Sequence, residues 1–331
     1  MKNIVIIGTG KAALLHYTSY KKIQKIGNIY FVDNDISKKT FLEYPIYHSL
    51  FDVLKENKIS YNNVIVDICT PQSQFLSIIE EIIQLGIKDI IVEKPFVVDE
   101  NYFVEKANIN IISISNYLYS KITTLAKKII EERKLIIRYI HTNFSKNRIK
   151  DSFNGRAIRE EIPSVLEIEM PHQIYLANYF LTTTENPIMN YCSFRDMKND
   201  NGELKNHAQG TIIITKENVS ILHESDLTTS TLQKRIIIHF KNNISMELRY
   251  IHYDTDFTKI SDGYLSLYEK GILIEKYLFE EDDNMLYCLN DIYTYLNNGK
   301  YDRKYNIENR IIEFSKEMNL YRKYINDISR V

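Results

Sequence analysis

The sequence predicts a two-domain α/β protein: a doubly wound parallel sheet, then an α+β domain built on a large, mostly antiparallel sheet. Three observations carry that expectation. Up to residue 119, short continuous apolar runs alternate with amphipathic stretches, the pattern of a parallel sheet covered on both faces. From residue 120 onward, longer runs with partial alternation follow one another directly, as in an antiparallel or mixed sheet with helices on one face. At 331 residues the chain is long enough to bury two cores.

The strand candidates of the first half are Ile4–Ile7, Ile29–Val32, Val64–Ile68, Ile90–Val92 and Ile111–Ile114. Between two of them, LSIIEEIIQLG has helical spacing and stops at Gly86, a residue suited to the conformation that ends a helix. The second half opens with a helical stretch, KITTLAKKIIEERK. Strand candidates follow at Leu135–Phe144, Thr211–Thr215, Val219–His223, Arg235–Phe240 and Ser245–Tyr253, then a pair within YLSLYEKGILIEKYLFEE that turns at Lys270-Gly271. The acidic run Glu280-Glu281-Asp282-Asp283 reads as the polar start of a helix. The closing NIENRIIEFSKEMNLYRKYINDIS has apolar residues at helical spacing. It is expected to form a terminal helix returning towards the first domain. No low-complexity linker intervenes, so the expected domains are 1–119, for nucleotide binding, and 120–331, for substrate binding and oligomerisation.

Composition excludes several classes. A net charge of −1 argues against a nucleic-acid partner. No window approaches 18 uninterrupted apolar residues, so no membrane span is expected. The N-terminus enters a short apolar strand directly, without the long apolar region and small-residue cleavage site of a secretion signal. Cys69, Cys192 and Cys288 are far apart and odd in number, which fits reduced thiols and a cytoplasmic location. His223, His239 and His252 fall in strand candidates without a second ligand at metal-site spacing, so no metal is expected. No G-x-S-x-G or Cys–His arrangement suggests covalent catalysis.

The chemistry begins at IVIIGTGKAALLHY. Gly8, Gly10 and Ala13 form G-x-G-x-x-A directly after a strand and opening a helix. Gly8 permits the tight turn, Gly10 lets backbone approach a pyrophosphate, and Ala13 lets the helix pack closely on the strand. Thr9, Lys11 and Ala12 share the turn. Asp33, followed by Asn34, ends the second strand about 20 residues beyond Ala13, where an acidic residue would accept hydrogen bonds from a ribose hydroxyl. A structural turn with no ligand is the alternative, but the strand, the helix and the acidic residue all favour a dinucleotide. Asp33 and Asp35 would repel a ribose 2′-phosphate, which favours NAD over NADP; Lys38 and Lys39 soften that preference.

Thr70-Pro71 and Glu93-Lys94-Pro95 lie just past the third and fourth of the long strands, where ligands of open α/β sheets bind. With Gly8-Thr9-Gly10 and Asp33, in this order and at these separations, they resemble the Gfo/Idh/MocA oxidoreductases, relatives of glucose-fructose oxidoreductase and inositol dehydrogenase. The resemblance covers the first domain, continues into Asn116-Tyr117, and returns at EMPHQIYLANYFL, which is similar to the start of the family's catalytic helix. It implies a Rossmann domain followed by an α+β domain whose open sheet face makes the dimer contact. It also implies that Lys94 contacts substrate hydroxyl and nicotinamide, that His172 is the acid/base, and that the Lys94-Pro95 peptide is cis. Thr70, Pro71 and Glu93 join the cofactor-binding set.

The local chemistry agrees with that reading. Pro171 suits a first helical turn, so His172 should lie near a helix N-terminus, whose dipole keeps the ring neutral and able to take a proton. Lys94 as ammonium would stabilise a developing alkoxide. Glu169, three residues before His172, could orient the ring or bind a substrate hydroxyl. Where many relatives have aspartate four residues before the histidine, this chain has Ile168, so Glu167 or Glu169 is the candidate replacement. Phe75 and Leu118 stand where relatives often carry histidine and arginine. Arg148, Lys150, Arg156 and Arg159 form a basic cluster that is either a solvated loop or a clamp for a substrate phosphate or carboxylate. The expected substrate set is Lys94, Asn116, Tyr117, Glu169, His172 and Arg156. The expected function is NAD-dependent hydride transfer at a secondary hydroxyl or ketone of a sugar, sugar derivative or cyclitol, in a homodimer or homotetramer. Imine reduction on the same fold and a non-catalytic nucleotide-binding regulator are the alternatives.

Overall fold

The computed structural model describes residues 1–99, 101–105, 108–153, 164–181, 183, 185–253, 258–298 and 307–328. The chain divides into two compact units. One is Met1–Asn116 with Asn284–Ser315, the other Tyr117–Asp283 with Lys316–Val331.

The first unit runs β1 (Asn3–Ile7), α1 (Lys11–Tyr20), β2 (Ile29–Val32), β3 (Thr40–Phe41), β4 (Tyr44–Tyr47), α2 (Leu50–Glu56), β5 (Val64–Ile68), α3 (Phe75–Gln84), β6 (Asp89–Val92), α4 (Tyr102–Glu105) and β7 (Asn110–Ser113). Its sheet has the order β3-β4-β2-β1-β5-β6-β7, parallel throughout except for the β3–β4 hairpin. The continuous apolar strands are buried on both sides, as Ile4, Val5, Ile6 and Val64 through Val66 show. Successive connections leave β1 in opposite directions, to β2 on one side and β5 on the other. That reversal opens a crevice at the carboxyl ends of β1 and β5, the usual ligand position in such sheets. Helix α3 ends before Gly86, whose φ is 81°.

The second unit runs α5 (Lys121–Glu132), β8 (Ile137–Ser145), α6 (Ile149–Asp151), α7 (Val165–Ile168), α8 (Met170–Leu181), β9 (Ile188–Asn199), β10 (Gly202–Lys216), β11 (Val219–Asp226), β12 (Gln233–Phe240), β13 (Ile244–Arg249), β14 (His252–Tyr253), β15 (Lys259–Ser261), β16 (Gly263–Glu269) and β17 (Ile272–Phe279). Eight of these strands form one sheet, β17-β16-β13-β12-β8-β11-β10-β9, antiparallel except for the β8–β11 pair. Alternate residues of β8 (Ile140, Thr142 and Phe144) are buried, and β8 packs against α8. Gln173 of α8 fastens the helix to the sheet: its Oε1 accepts from Thr142 Oγ1 at 2.7 Å and its Nε2 donates to Ser225 Oγ at 2.6 Å. Lys270 and Gly271 both have positive φ, the turn expected between β16 and β17. Strand β17 is a sheet edge that leaves Ile272, Leu273, Ile274 and Leu278 exposed.

Two sequence expectations are corrected. The run Ser245–Tyr253 is not one strand: β13 ends at Arg249, and the Tyr250 N–H donates to Lys234 O at 2.9 Å before β14 begins. The acidic run is not a helix start either, since α9 (Asn284–Asn298) begins after it. Asp282 instead braces the start of α5, accepting from Lys121 N, an orphan first-turn donor, at 2.9 Å and from the hydroxyl of the N-cap Ser120, which itself accepts from Ile122 N at 3.1 Å. Helix α9 packs on α1 in the first unit, and the Tyr293 hydroxyl donates to Lys2 O at 3.1 Å. The last helix is α10 (Ile307–Ile328). Among the described residues no helix is long and apolar enough to cross a membrane.

Candidate active site residues

In the first unit the nucleotide turn has the geometry its glycines require. Gly8 sits at φ 93°, and a Cβ there would lie 3.0 Å from Cys69 O and 3.1 Å from Thr70 Cγ2, so a side chain is excluded. A Cβ on Gly10 would meet nothing within 4 Å, and Gly10 caps α1 without a side-chain hydrogen bond. First-turn N–H groups beside open space are a ready anion site. Thr70 adds a buried hydroxyl with no hydrogen-bond partner. Ala13 is fully buried, Ala12 half-buried and Lys11 exposed. The turn, the uncapped helix and the orphan hydroxyl therefore fit a dinucleotide pyrophosphate.

Asp33 lies buried at the end of β2. Its Oδ2 accepts from Thr9 N at 3.0 Å, from the Thr9 hydroxyl and from Lys38 Nζ at 2.7 Å; its Oδ1 accepts from Asp35 N at 3.0 Å. Burial alone would raise its pKa, but hydrogen bonds from Lys38 and Thr9 outweigh it and hold the carboxyl below its usual value. Asn34 is exposed beside it.

Lys94 follows β6, half-buried, and its peptide with Pro95 is cis, as the resemblance implies. Its N–H donates to Glu93 Oε2 at 3.0 Å. The other oxygen, Glu93 Oε1, lies 2.9 Å from His16 Nε2, and His16 Nδ1 lies 2.8 Å from Asp67 Oδ2, which also accepts from the Tyr20 hydroxyl at 2.9 Å. His16 is fully buried. Burial disfavours imidazolium, yet Asp67 and Cys69 outweigh it and raise the His16 pKa well above its usual value. Ligand atoms of His16, Asp67 and Cys69 lie within 4.8 Å of one another, and hydrogen bonding accounts for that closeness. Sequence reading missed His16, since its partners are 51 and 77 residues away.

Asn116 belongs to this unit, and its amide donates to Asn284 Oδ1 at 2.9 Å. Phe75 and Leu118, at the two positions where relatives often carry polar residues, are buried apolar side chains.

In the second unit His172 occupies the first turn of α8, after Pro171, as expected. The Tyr117 ring packs edge-on against it with centroids 4.8 Å apart, and Phe144 lies at 6.1 Å. Tyr117 also packs on Phe144 and Tyr250. Burial, then the nearby Glu169 charge, pushes the Tyr117 phenol pKa up.

Glu169 is 4% exposed. Its Oε1 accepts from Arg148 Nε at 2.8 Å and Nη2 at 2.7 Å, and Lys146 Nζ lies 3.3 Å away. Burial pushes the Lys146 ammonium down to about 8, with Glu169 opposing the shift and Arg148 and Lys234 adding to it. Glu167 instead accepts from the Ser164 hydroxyl and from Arg322 Nε at 3.2 Å. Lys150 is exposed, while Arg156 and Arg159 fall outside the described residues.

A doubly wound parallel sheet with a phosphate-ready glycine turn, and a lysine at its carboxyl edge, is an arrangement suited to binding a dinucleotide. Residues 2–108 match the model of the oxidoreductase family with NAD-binding Rossmann fold, Gfo/Idh/MocA. Solved structures share the fold over nearly the whole chain. KijD10, a 3-ketoreductase from Actinomadura kijaniata in complex with NADP and TDP-benzene, is 11% identical with a TM-score of 0.77, each chain covered over 97%. The protein YPO2259 from Yersinia pestis is 13% identical with a TM-score of 0.74, covering 98% of this chain and 95% of that one. The protein yhhX is 16% identical with a TM-score of 0.71, covering 98% and 97%. No curated protein sequence matches the chain.

Proposed function

We propose that the protein is a dehydrogenase or reductase moving hydride between a nicotinamide cofactor and a secondary hydroxyl or ketone of a sugar, sugar derivative or cyclitol. The observation that carries this reading is Lys94, held by Glu93 at the carboxyl edge of a sheet whose glycine turn fits a dinucleotide. Gly8, Thr9, Gly10, Thr70 and Pro71 would hold the pyrophosphate and Asp33 the adenosine ribose. When bound, the nicotinamide accepts or supplies the hydride. In the oxidative direction a His172 ring nitrogen takes the hydroxyl proton, and the Lys94 ammonium stabilises the negative charge growing on the oxygen. In reduction His172 returns the proton. Tyr117 packs against the His172 ring and limits its rotation. Glu169, tied to Arg148 and Lys146, is the carboxylate that replaces the aspartate of many relatives.

The cofactor is NAD on this reading. The ionised Asp33 would accept from a ribose hydroxyl and repel a 2′-phosphate. KijD10 binds NADP, and Lys38 on the Asp33 carboxylate lessens the repulsion here, so the NAD preference is modest. The exposed apolar edge at β17 favours assembly through the second unit's sheet, which sizing by light scattering checks.

Nicotinamide absorbance followed in both directions tests the reading, with NAD and NADP, a panel of sugars, cyclitols and their keto forms, and K94A and H172A controls. Turnover that disappears in both variants is expected. Turnover confined to imines, or tight NAD binding with no turnover on any substrate, would overturn it.

A further inference from the structure

Resting on that function, we propose that the helix-facing side of the second unit's sheet binds an anionic group of the substrate, a carboxylate or phosphate, with Lys234 as its main counter-charge. The argument starts from sheet register. Lys234 of β12 lies directly opposite Phe144 of β8, and directly opposite residues of neighbouring strands point to the same face. Phe144 faces α8, with its ring 6.1 Å from that of His172. Lys234 therefore projects on the His172 side of the sheet, and its Nζ stands 5.7 Å from the centre of the Tyr117 ring. Lys146, two residues beyond Phe144, and Tyr250, whose N–H bonds Lys234 O, extend the same patch.

The charges around it do not balance. Lys146, Arg148 and Lys234 are three cations. Among the described residues two carboxylates meet them within ion-pair distance: Glu169, against Arg148 and Lys146, and the more exposed Asp151, 3.9 Å from Arg148. Among the described residues one positive charge is left over. Geometry puts it on Lys234, which alone of the three has no carboxylate within ion-pair distance among the described residues. Lys234 is half-buried, with an aromatic face beside it and the Glu169 charge acting on it from beyond ion-pair distance, so its ammonium is incompletely compensated, whereas buried charges are ordinarily paired. His252, 2% exposed, carries a second unfinished valence, since its Nε2 has no hydrogen-bond partner. Burial, then Lys234, drops its pKa to about 4, so the ring is neutral and can offer Nε2–H as a donor. An oxyanion would satisfy the missing charge and supply the missing acceptor. A neutral polyol would supply neither charge nor full acceptor strength.

The test compares three matched substrates, a neutral hexose, its hexuronate and its 6-phosphate, on wild type, K234Q and K234R. Binding of glucuronate and of inorganic phosphate is followed in parallel by calorimetry and thermal shift, without turnover. The expected result is a KM about tenfold to a hundredfold lower for an anionic congener than for the neutral one. That advantage should vanish in K234Q and survive in K234R, with Tm showing both variants folded. Preference for the hexuronate or for the 6-phosphate identifies which oxyanion the patch takes. Equal KM values for charged and neutral congeners, or a K234Q defect as large on the neutral hexose, would overturn the inference while leaving the oxidoreductase reading standing. If no congener turns over, the binding arm decides alone: anion binding lost in K234Q supports the patch, and no binding by wild type refutes it.

Discussion

The nucleotide edge of the first unit and the His172 face of the second carry charge in opposite ways. At the nucleotide edge two charge clusters are closed: Asp33 holds Lys38, and His16 stands between Asp67 and Glu93. On the His172 face Lys234 has no carboxylate within ion-pair distance among the described residues, and His252 Nε2 has no hydrogen-bond partner. A turn that holds a pyrophosphate through backbone N–H groups needs no spare side-chain cation there, because the phosphates meet dipoles. A surface that selects a substrate must leave some of its chemistry unfinished. On the proposed function, the unpaired groups of the His172 face are where substrate specificity is to be sought.

Four substitutions probe that contrast. The largest effect is expected from H172A, which should lower turnover by about 10²–10⁴ while leaving NAD affinity unchanged by calorimetry. A parallel loss of NAD affinity would place His172 in structure and not in chemistry. Next is H16Q, which leaves two buried carboxylates without their cation and should cost about 3–5 kcal/mol in urea unfolding. The sign of its pH dependence follows from the raised His16 pKa. This contribution is complete below the unfolded value of about 6.5 and is lost as pH rises through the folded value, so wild type should lose stability towards alkaline pH and H16Q should lack that decline. A pH slope identical in both proteins would show that His16 is neutral.

G8A follows, because it forces a side chain into a positive-φ turn against the Cys69 carbonyl; about 1–3 kcal/mol of stability and most NAD affinity should go together. Retained affinity in G8A would move the cofactor away from this turn. The smallest effect is expected from D33N, which removes the charge that faces the ribose and should shift the NAD-to-NADP preference by about tenfold in kcat/KM. No shift would mean that Lys38 already neutralises Asp33.

Legibility in the sequence divides along the same line. The five long parallel strands and the Gly8 turn were readable because buried strands are continuous apolar runs and glycine spacing is local. The β3–β4 hairpin was not, since β3 has two residues and β4, YPIY, carries a proline and is buried only at Ile46, so neither is a continuous apolar run. Strand β9 shows mixed exposure over 12 residues and so no clean alternation. Asp282 was misread because its partners, Ser120 and Lys121, lie more than 160 residues away. The same distance effect hid His16 and the Lys234 patch. Motif spacing reports only what neighbouring residues do together, whereas the His172 face is assembled from β8, α8, β12 and the segment after β13.

The central claim is hydride transfer to a nicotinamide with His172 and Lys94 assisting. It is tested most directly with a substrate carrying deuterium on its carbinol carbon, followed by mass analysis of the recovered cofactor. The account predicts one deuterium on the nicotinamide ring with wild-type protein and almost none with H172A or K94A. Oxidised substrate with no deuterium in the cofactor, or equal transfer in all three proteins, would contradict it.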